Sequence, residues 1–164
     1  GAAKLASEIV LLGHAGAFGL TVRCQRYFNV YGPRQDPRSP YSGVISIFCQ
    51  KLGAVEAPVI FGDGGQTRDF ISVHDVARAN VIAATHRDVP SGPANICTGK
   101  AASLNELVAI LHRQFPGAPD PVHGPARDGD IRHSLGDPGA AAHELGFSAR
   151  VSLVDGLAEL VRVR

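Results

Sequence analysis

Three glycines are the first residues of this chain whose spacing could do chemistry. Gly13, Gly16 and Gly19 stand in a GxxGxxG pattern. Such glycines let a backbone approach a dinucleotide pyrophosphate when a strand precedes them and a helix N-terminus follows. Here the order is inverted: a helix-like stretch, Ala2 to Leu12, comes before them and a strand-like stretch, Leu20 to Phe28, after. Gly13 and Gly16 are therefore expected to stop a helix, within a C-cap and tight turn that holds all three glycines. The acidic ribose partner expected about 20 residues on is also lacking. Seven histidines, at positions 14, 74, 86, 112, 123, 133 and 143, invite a metal reading. None forms HExxH or pairs with cysteine at ligand spacing, so no metal is expected. Cys24, Cys49 and Cys97 lie far apart, outside any CxxC pattern, and read as reduced core thiols of a cytoplasmic protein.

The elements that must position any site alternate. After the first helix, with Leu5, Ile9 and Leu12 on one apolar stripe, Leu20 to Phe28 is the one strand long enough to be central. A polar, Pro-rich loop follows from Arg34 to Ser42, then an apolar helix from Val44 to Leu52. Short strands are predicted at Pro58 to Phe61 and Asp69 to Ser72, around a glycine-rich turn from Gly62 to Thr67. His74 to His86 is an alanine-rich helix capped by Ser72 or a residue near it, and Ala94 to Cys97 a short strand. Ser103 and Glu106 form a capping box for a helix from Leu104 to Phe115. A Pro/Gly-rich loop runs from Pro116 to Asp130 with strand character at Val122, and helices at Pro138 to Leu145 and Leu153 to Val163 close the chain. The pattern is α/β, and it suits a piece of a larger sheet. With 164 residues, 45% hydrophobic and 19% charged, the chain can build a real core. A net charge of +1 argues against a nucleic-acid surface. No apolar run reaches membrane-spanning length, and no signal peptide is visible.

Four patches, in order, resemble the extended short-chain dehydrogenase/reductase family, with its nucleotide-sugar epimerases and dehydratases as the closest branch. They are Gly1 to Glu8 with Lys4; Arg26-Tyr27-Phe28-Asn29-Val30-Tyr31-Gly32-Pro33-Arg34-Gln35-Asp36-Pro37; Phe61-Gly62-Asp63-Gly64 with Thr67-Arg68-Asp69-Phe70-Ile71 and Val73-His74-Asp75-Val76-Ala77; and Arg127-Asp128-Gly129-Asp130-Ile131-Arg132 with Asp137. The resemblance implies the C-terminal portion of a Rossmann-like fold with its smaller substrate-binding domain. Residues 1–36 would end the NAD-binding half, and residues 37–164 would form most of the sugar-nucleotide domain, with segments returning to the first half.

The resemblance also implies roles. Lys4 would be the lysine of a Tyr-x-x-x-Lys pair whose tyrosine stands one residue before Gly1. A lysine ammonium favours the phenolate and lowers the phenol's pKa from about 10, so that it can take the hydroxyl proton while NAD takes a hydride from C4 of the sugar. Lys4, Tyr27 and Phe28 would lie by the nicotinamide, and Asn29 on the sugar nucleotide. Gly43 and Val44 open a helix whose terminus suits a phosphate. Val59 and Phe61 would line a uracil or thymine pocket. Arg68 and Arg127 would clamp the pyrophosphate, since each guanidinium is planar and binds in a bidentate way. Asp130 would accept from a ribose hydroxyl. Ser134, small, would leave room beside the sugar's 2-substituent for an N-acetyl group. Arg34 and Asp36 are expected to form a loop salt bridge.

The family's glycine turn, catalytic Ser or Thr and tyrosine do not occur in these residues. The expectation is thus a C-terminal fragment, inactive alone, of a UDP-glucose 4-epimerase-like enzyme that takes a UDP- or dTDP-sugar. A 4,6-dehydratase or UDP-glucuronate decarboxylase of the same family is the alternative, and a non-catalytic sugar-nucleotide-binding or dimerising remnant is the alternative from another class. The first helix is expected to pair across a two-fold axis into a homodimer.

Overall fold

The computed structural model describes residues 1–39, 42–86 and 88–163. Helix α1 (Ala2–Phe18) runs through Gly13 and Gly16, contrary to the expected stop. A mid-helix glycine costs about 1 kcal/mol relative to alanine, and the alanines and leucines around these two offset it. The helix ends where a left-handed residue is required. Gly19 takes φ 63°, and its N–H donates to the carbonyl of Ala15. The glycine spacing thus belongs to a helix and its cap, with no phosphate loop.

The strand expected from Leu20 to Phe28 is shorter. Strand β1 (Arg23–Tyr27) is followed after one residue by β2 (Asn29–Tyr31). The two belong to different sheets. Strand β1 pairs in parallel with β5 (Gly92–Ile96), with Tyr27 opposite Ile96. Strand β2 pairs in parallel with β4 (Thr67–Ser72), and β4 pairs antiparallel with β6 (Ala101–Ser103). A third sheet pairs β3 (Val59–Phe61) with β7 (Val122–Gly124). The central strand is therefore β4, not the first strand.

Strand β4 divides the interior. Phe70 and Ile71 point to opposite faces, as adjacent strand residues must. Phe70 joins one core with Phe48 and Leu52 of helix α2 (Val44–Gly53), Leu107 and Leu111 of α4 (Leu104–His112) and Leu157 of α6 (Leu153–Arg162). Ile71 joins a second core with Val76 and Ala79 of α3 (Val73–Thr85), Ile96, and Leu145 of α5 (Gly139–Leu145), closed by Phe147. Sequence-legible caps begin two of these helices, α3 and α4. Ser72 accepts from the His74 N–H, and Ser103 and Glu106 complete the expected capping box.

Two buried carboxylates tie the loops to this frame. Asp69, fully buried, accepts from the Thr98 N–H (2.9 Å), the Thr98 hydroxyl (2.7 Å), the Gly99 N–H (2.9 Å) and the Gly136 N–H (3.4 Å). Asp75 accepts from Arg78 (2.7 Å) and from the N–H groups of Arg150 and Val151 (both 2.9 Å). Helix α6 leans on β2 through Gly156, where a Cβ would stand 2.9 Å from Cζ of the buried Tyr31 and closer still to its hydroxyl. Burial pushes that hydroxyl's pKa up, and the carboxylates of Asp75, Glu159 and Asp155 add to the shift. Gly156→Ala is expected to lower stability by roughly 1–3 kcal/mol through overpacking, despite the better helix propensity of alanine. An unchanged denaturation midpoint would show that α6 can slide away from β2 freely.

Candidate functional site

Helix α2, strand β3 and the loop at 127–130 enclose a cleft of about 530 Å³. Its apolar wall comes from Val44, Ile47 and Phe48 of α2, Val59 and Phe61 of β3, and Leu104. The strand period explains the choice on β3: Val59 and Phe61 share the cleft face, while Ile60 turns the other way and is fully buried in the core. The polar lining is Asn29, Ser42, Lys51, Gln66, Arg68, Arg127, Asp128 and Asp130.

Among the residues singled out from the sequence for a sugar nucleotide, Asn29, Val44, Val59, Phe61, Arg68, Arg127 and Asp130 meet in this one cleft. Gly43 stands between two lining residues and caps α2, its carbonyl accepting from the Ser46 N–H (3.2 Å) and hydroxyl (2.8 Å). Ser134 is outside the lining. Its N–H donates to the Thr67 carbonyl (3.1 Å), which extends the backbone of β4.

The two arginines are held differently. Arg68 donates to the carbonyls of Thr67 (2.8 Å) and Ile131 (2.5 Å) and to Asp130 Oδ1 (2.5 Å). Its carboxylate partner is Asp130, not the adjacent Asp69. Arg127 stacks its guanidinium 3.7 Å above the centre of the Phe61 ring. Gln66 bridges the walls, with Nε2 donating to the Phe61 carbonyl (2.8 Å) and Asp130 Oδ2 (3.4 Å). Lys51 pairs with Glu56 (2.5 Å) at the cleft's rim.

Sequence reading missed Gln66 and Lys51. Gln66 falls in the gap between the two recognised runs Phe61 to Gly64 and Thr67 to Ile71. Lys51 lies three and four residues past Phe48 and Ile47 on the same face of α2, a spacing that could have found it.

Next to the cleft, Asp63 forms a forked pair with Arg132 (2.6 and 2.9 Å) and accepts from the Gly65 N–H (2.9 Å). The guanidinium first, then the N–H, hold the Asp63 carboxyl down at about 2. Because the folded pKa lies below the unfolded one, the pair's contribution is complete above about pH 4 and is lost as pH falls through about 2. NMR titration of the Asp63 carboxyl is expected to show that low midpoint, and Arg132→Ala to return it towards the ordinary range. A normal midpoint in the unsubstituted chain would exclude the pair from solution. The expected loop bridge between Arg34 and Asp36 is replaced by Asp36 with Arg38 (3.4 Å).

Lys4, Tyr27 and Phe28 are not among the residues that line the cleft. Lys4 is exposed, and its neighbour Glu8 is taken by Arg26 in a two-pronged pair (2.9 and 2.5 Å) that fastens α1 to β1. The Tyr27 hydroxyl donates to Asn80 Oδ1 (2.6 Å). Phe28 packs at Gly136, where a Cβ would fall 2.8 Å from Phe28 Cζ and 2.5 Å from Cys97 Sγ. Burial, and then the Asp69 charge, push that thiol up to about 11, so it is inert. A strand–glycine–helix cradle for a dinucleotide pyrophosphate is absent among the described residues. No group of three metal-ligating side chains occurs among them either, and no helix is long and apolar enough to cross a membrane.

This geometry, a Rossmann-like α/β fold carrying a cleft with an apolar wall and a polar lining, has close counterparts. Residues 1–97 match the model of the NAD dependent epimerase/dehydratase family. The chain belongs to that family. It is 38% identical over 167 residues to UDP-glucose 4-epimerase of Mycolicibacterium smegmatis, covering 98% of this chain and 50% of that protein. The fold matches the crystal structure of UDP-glucose 4-epimerase with UDP-glucose from Thermotoga maritima with a TM-score of 0.90 and 38% identity, over 97% of this chain and 50% of that one. It also matches UDP-N-acetylglucosamine 4-epimerase from Methanobrevibacter ruminantium, in complex with UDP-N-acetylmuramic acid (TM-score 0.89, 35% identity, 97% and 51% coverage). The chain spans about half the length of the curated relatives it matches.

Proposed function

We propose that this chain is the sugar-nucleotide-binding part of an NAD-dependent nucleotide-sugar 4-epimerase, acting on UDP-glucose and UDP-galactose. The observation that carries the reading is one cleft, where seven of the nine residues expected at a sugar nucleotide converge. In this reading the apolar end, Val59 and Phe61, receives the pyrimidine, while Arg68 and Arg127 face the diphosphate and Asp130 and Asn29 the ribose and sugar. NAD, when bound, accepts the hydride from C4 and returns it to the 4-keto sugar. Lys4 would hold the nicotinamide ribose and keep a neighbouring phenol ionised, with Tyr27 and Phe28 against the ring. Ser134 is kept as the residue near the sugar's 2-substituent, and the likeness to a UDP-N-acetylglucosamine 4-epimerase supports acceptance of that substrate too.

The test is titration calorimetry of the chain with UDP-glucose, UDP-N-acetylglucosamine and an ADP-sugar. Binding of the first two but not the third is expected. Equal affinity for all three would remove the pyrimidine reading, and heat from none would remove the site. Purified residues 1–164 are expected to turn over no UDP-glucose, because the described residues hold no phenol partnered with Lys4 and no pyrophosphate cradle. Conversion to UDP-galactose by these residues alone would overturn that expectation.

Helix α1 supports a homodimer of the parent protein. Leu5, Ile9 and Val10 are all more than half exposed, and burying each contributes about 1.5–3 kcal/mol. A symmetric contact through this stripe is the proposed interface. Sedimentation of the parent should give a dimer at micromolar concentration, and Ile9→Glu a monomer. A wild-type monomer would discard the interface.

A further inference from the structure

The two arginines of the cleft are unequal in what they have left to give. Arg68 is largely buried and spends its donors on two carbonyls and on Asp130, which also neutralises its charge. Arg127 is exposed, its carbonyl accepts from the Asp130 N–H (3.3 Å), and its guanidinium has no hydrogen bond or ion pair among the described residues; the guanidinium's contact is the Phe61 ring. A guanidinium stacked on an aromatic face is held in plane and in place without consuming an N–H group. All five donors remain along the edge of that plane, at the cleft.

We infer that Phe61 is a positioning residue, whose ring presents the unbonded edge of Arg127 to the ligand's diphosphate, so that Arg127 supplies the cleft's free cation while Arg68 braces the wall through Asp130. The inference rests on the nucleotide reading above and adds to it an unequal division of labour between the arginines. It also explains why an aromatic residue stands at Phe61 where any apolar side chain would complete the wall.

Two measurements on the whole chain test it. The first needs no ligand. Ring currents from Phe61 should shift the Arg127 side-chain proton resonances upfield, Phe61→Leu should abolish the shift, and Phe61→Tyr should keep it. The second compares UDP with uridine, whose affinity ratio isolates the phosphates. Phe61→Leu should lower that ratio about two- to fivefold, the scale of a cation–π contact. Phe61→Tyr should restore it, and Phe61→Leu should change nothing further in an Arg127→Ala background. If Phe61→Leu weakens UDP and uridine by the same factor, the ring is only wall and the positioning role is wrong. The role is equally wrong if the ratio stays put or the upfield shift is missing in the unsubstituted chain. If the unsubstituted chain does not prefer UDP to uridine, or binds neither, the nucleotide-diphosphate reading itself fails and takes this role with it.

Discussion

Asp69→Ala is expected to destabilise the chain by about 3–5 kcal/mol, a large share of what a domain of this size has to lose. The carboxylate is fully buried and receives three backbone N–H groups and one hydroxyl. Alanine strands those donors, and each buried donor left unmatched costs about 1–3 kcal/mol, less where water can reach it. Thr98 and Gly99 are near enough to solvent to recover part of that cost, whereas the buried Gly136 is not. Asp69→Asn should fall between the two, since its oxygen can still serve Thr98 while its amide faces the N–H groups of Gly99 and Gly136. Denaturant midpoints of the three proteins check the order. A loss below about 1 kcal/mol for Asp69→Ala would mean that the turn at 98–99 holds itself without the carboxylate.

The second large effect is on binding. In the longer parent proposed above, Arg127→Ala should cost about 1.5–3 kcal/mol of sugar-nucleotide affinity, roughly a ten- to hundredfold rise in Kd, and Arg68→Ala should weaken the same ligand through the cleft wall it braces at Asp130. NAD retention should not change. The two variants should separate on stability. The Arg127 side chain touches only the half-buried Phe61 ring, so its loss should leave the midpoint in place. Arg68→Ala removes the partner of Asp130 and of the Ile131 carbonyl, and should lower the midpoint as well. If either variant releases NAD yet keeps its affinity for UDP, the clamp is assigned to the wrong ligand.

Helices with caps were readable from sequence, because a cap is local chemistry. Ser72 and the Ser103–Glu106 box begin α3 and α4 as expected. The glycines of α1 misled because a glycine reports permission, not obligation: only Gly19 uses its left-handed freedom, and Gly13 and Gly16 stay helical. Strand lengths misled for the opposite reason. Leu20 to Phe28 reads as one strand, but a strand runs only as far as its partner, and β5 spans Gly92 to Ile96, opposite Arg23 to Tyr27. The cleft was visible as residue types and not as relationships. Adjacent strand residues leave on opposite faces, which keeps Arg68 from Asp69, but the expected strand began only at Asp69 and nothing local to Arg68 names Asp130 as its partner. The buried duty of Asp69 was hidden in the same manner, beside a more conspicuous arginine.

One residue, Phe28, separates the last position of β1 from the first of β2. Strand geometry allows about 3.3 Å per residue, so Tyr27 and Asn29 cannot be more than about 7 Å apart along the backbone. One sheet therefore hands the chain to the next within the length of a single ring sugar. Whatever sits against Tyr27 and whatever sits against Asn29 are kept at a fixed, short separation by the chain itself, with no domain closure required to bring them together. An insertion of one residue at Phe28 would lengthen this gauge and turn Asn29 to the opposite face of its strand. The spacing at this junction is thus a measuring device in covalent form, and its tolerance for change in length should be close to nil.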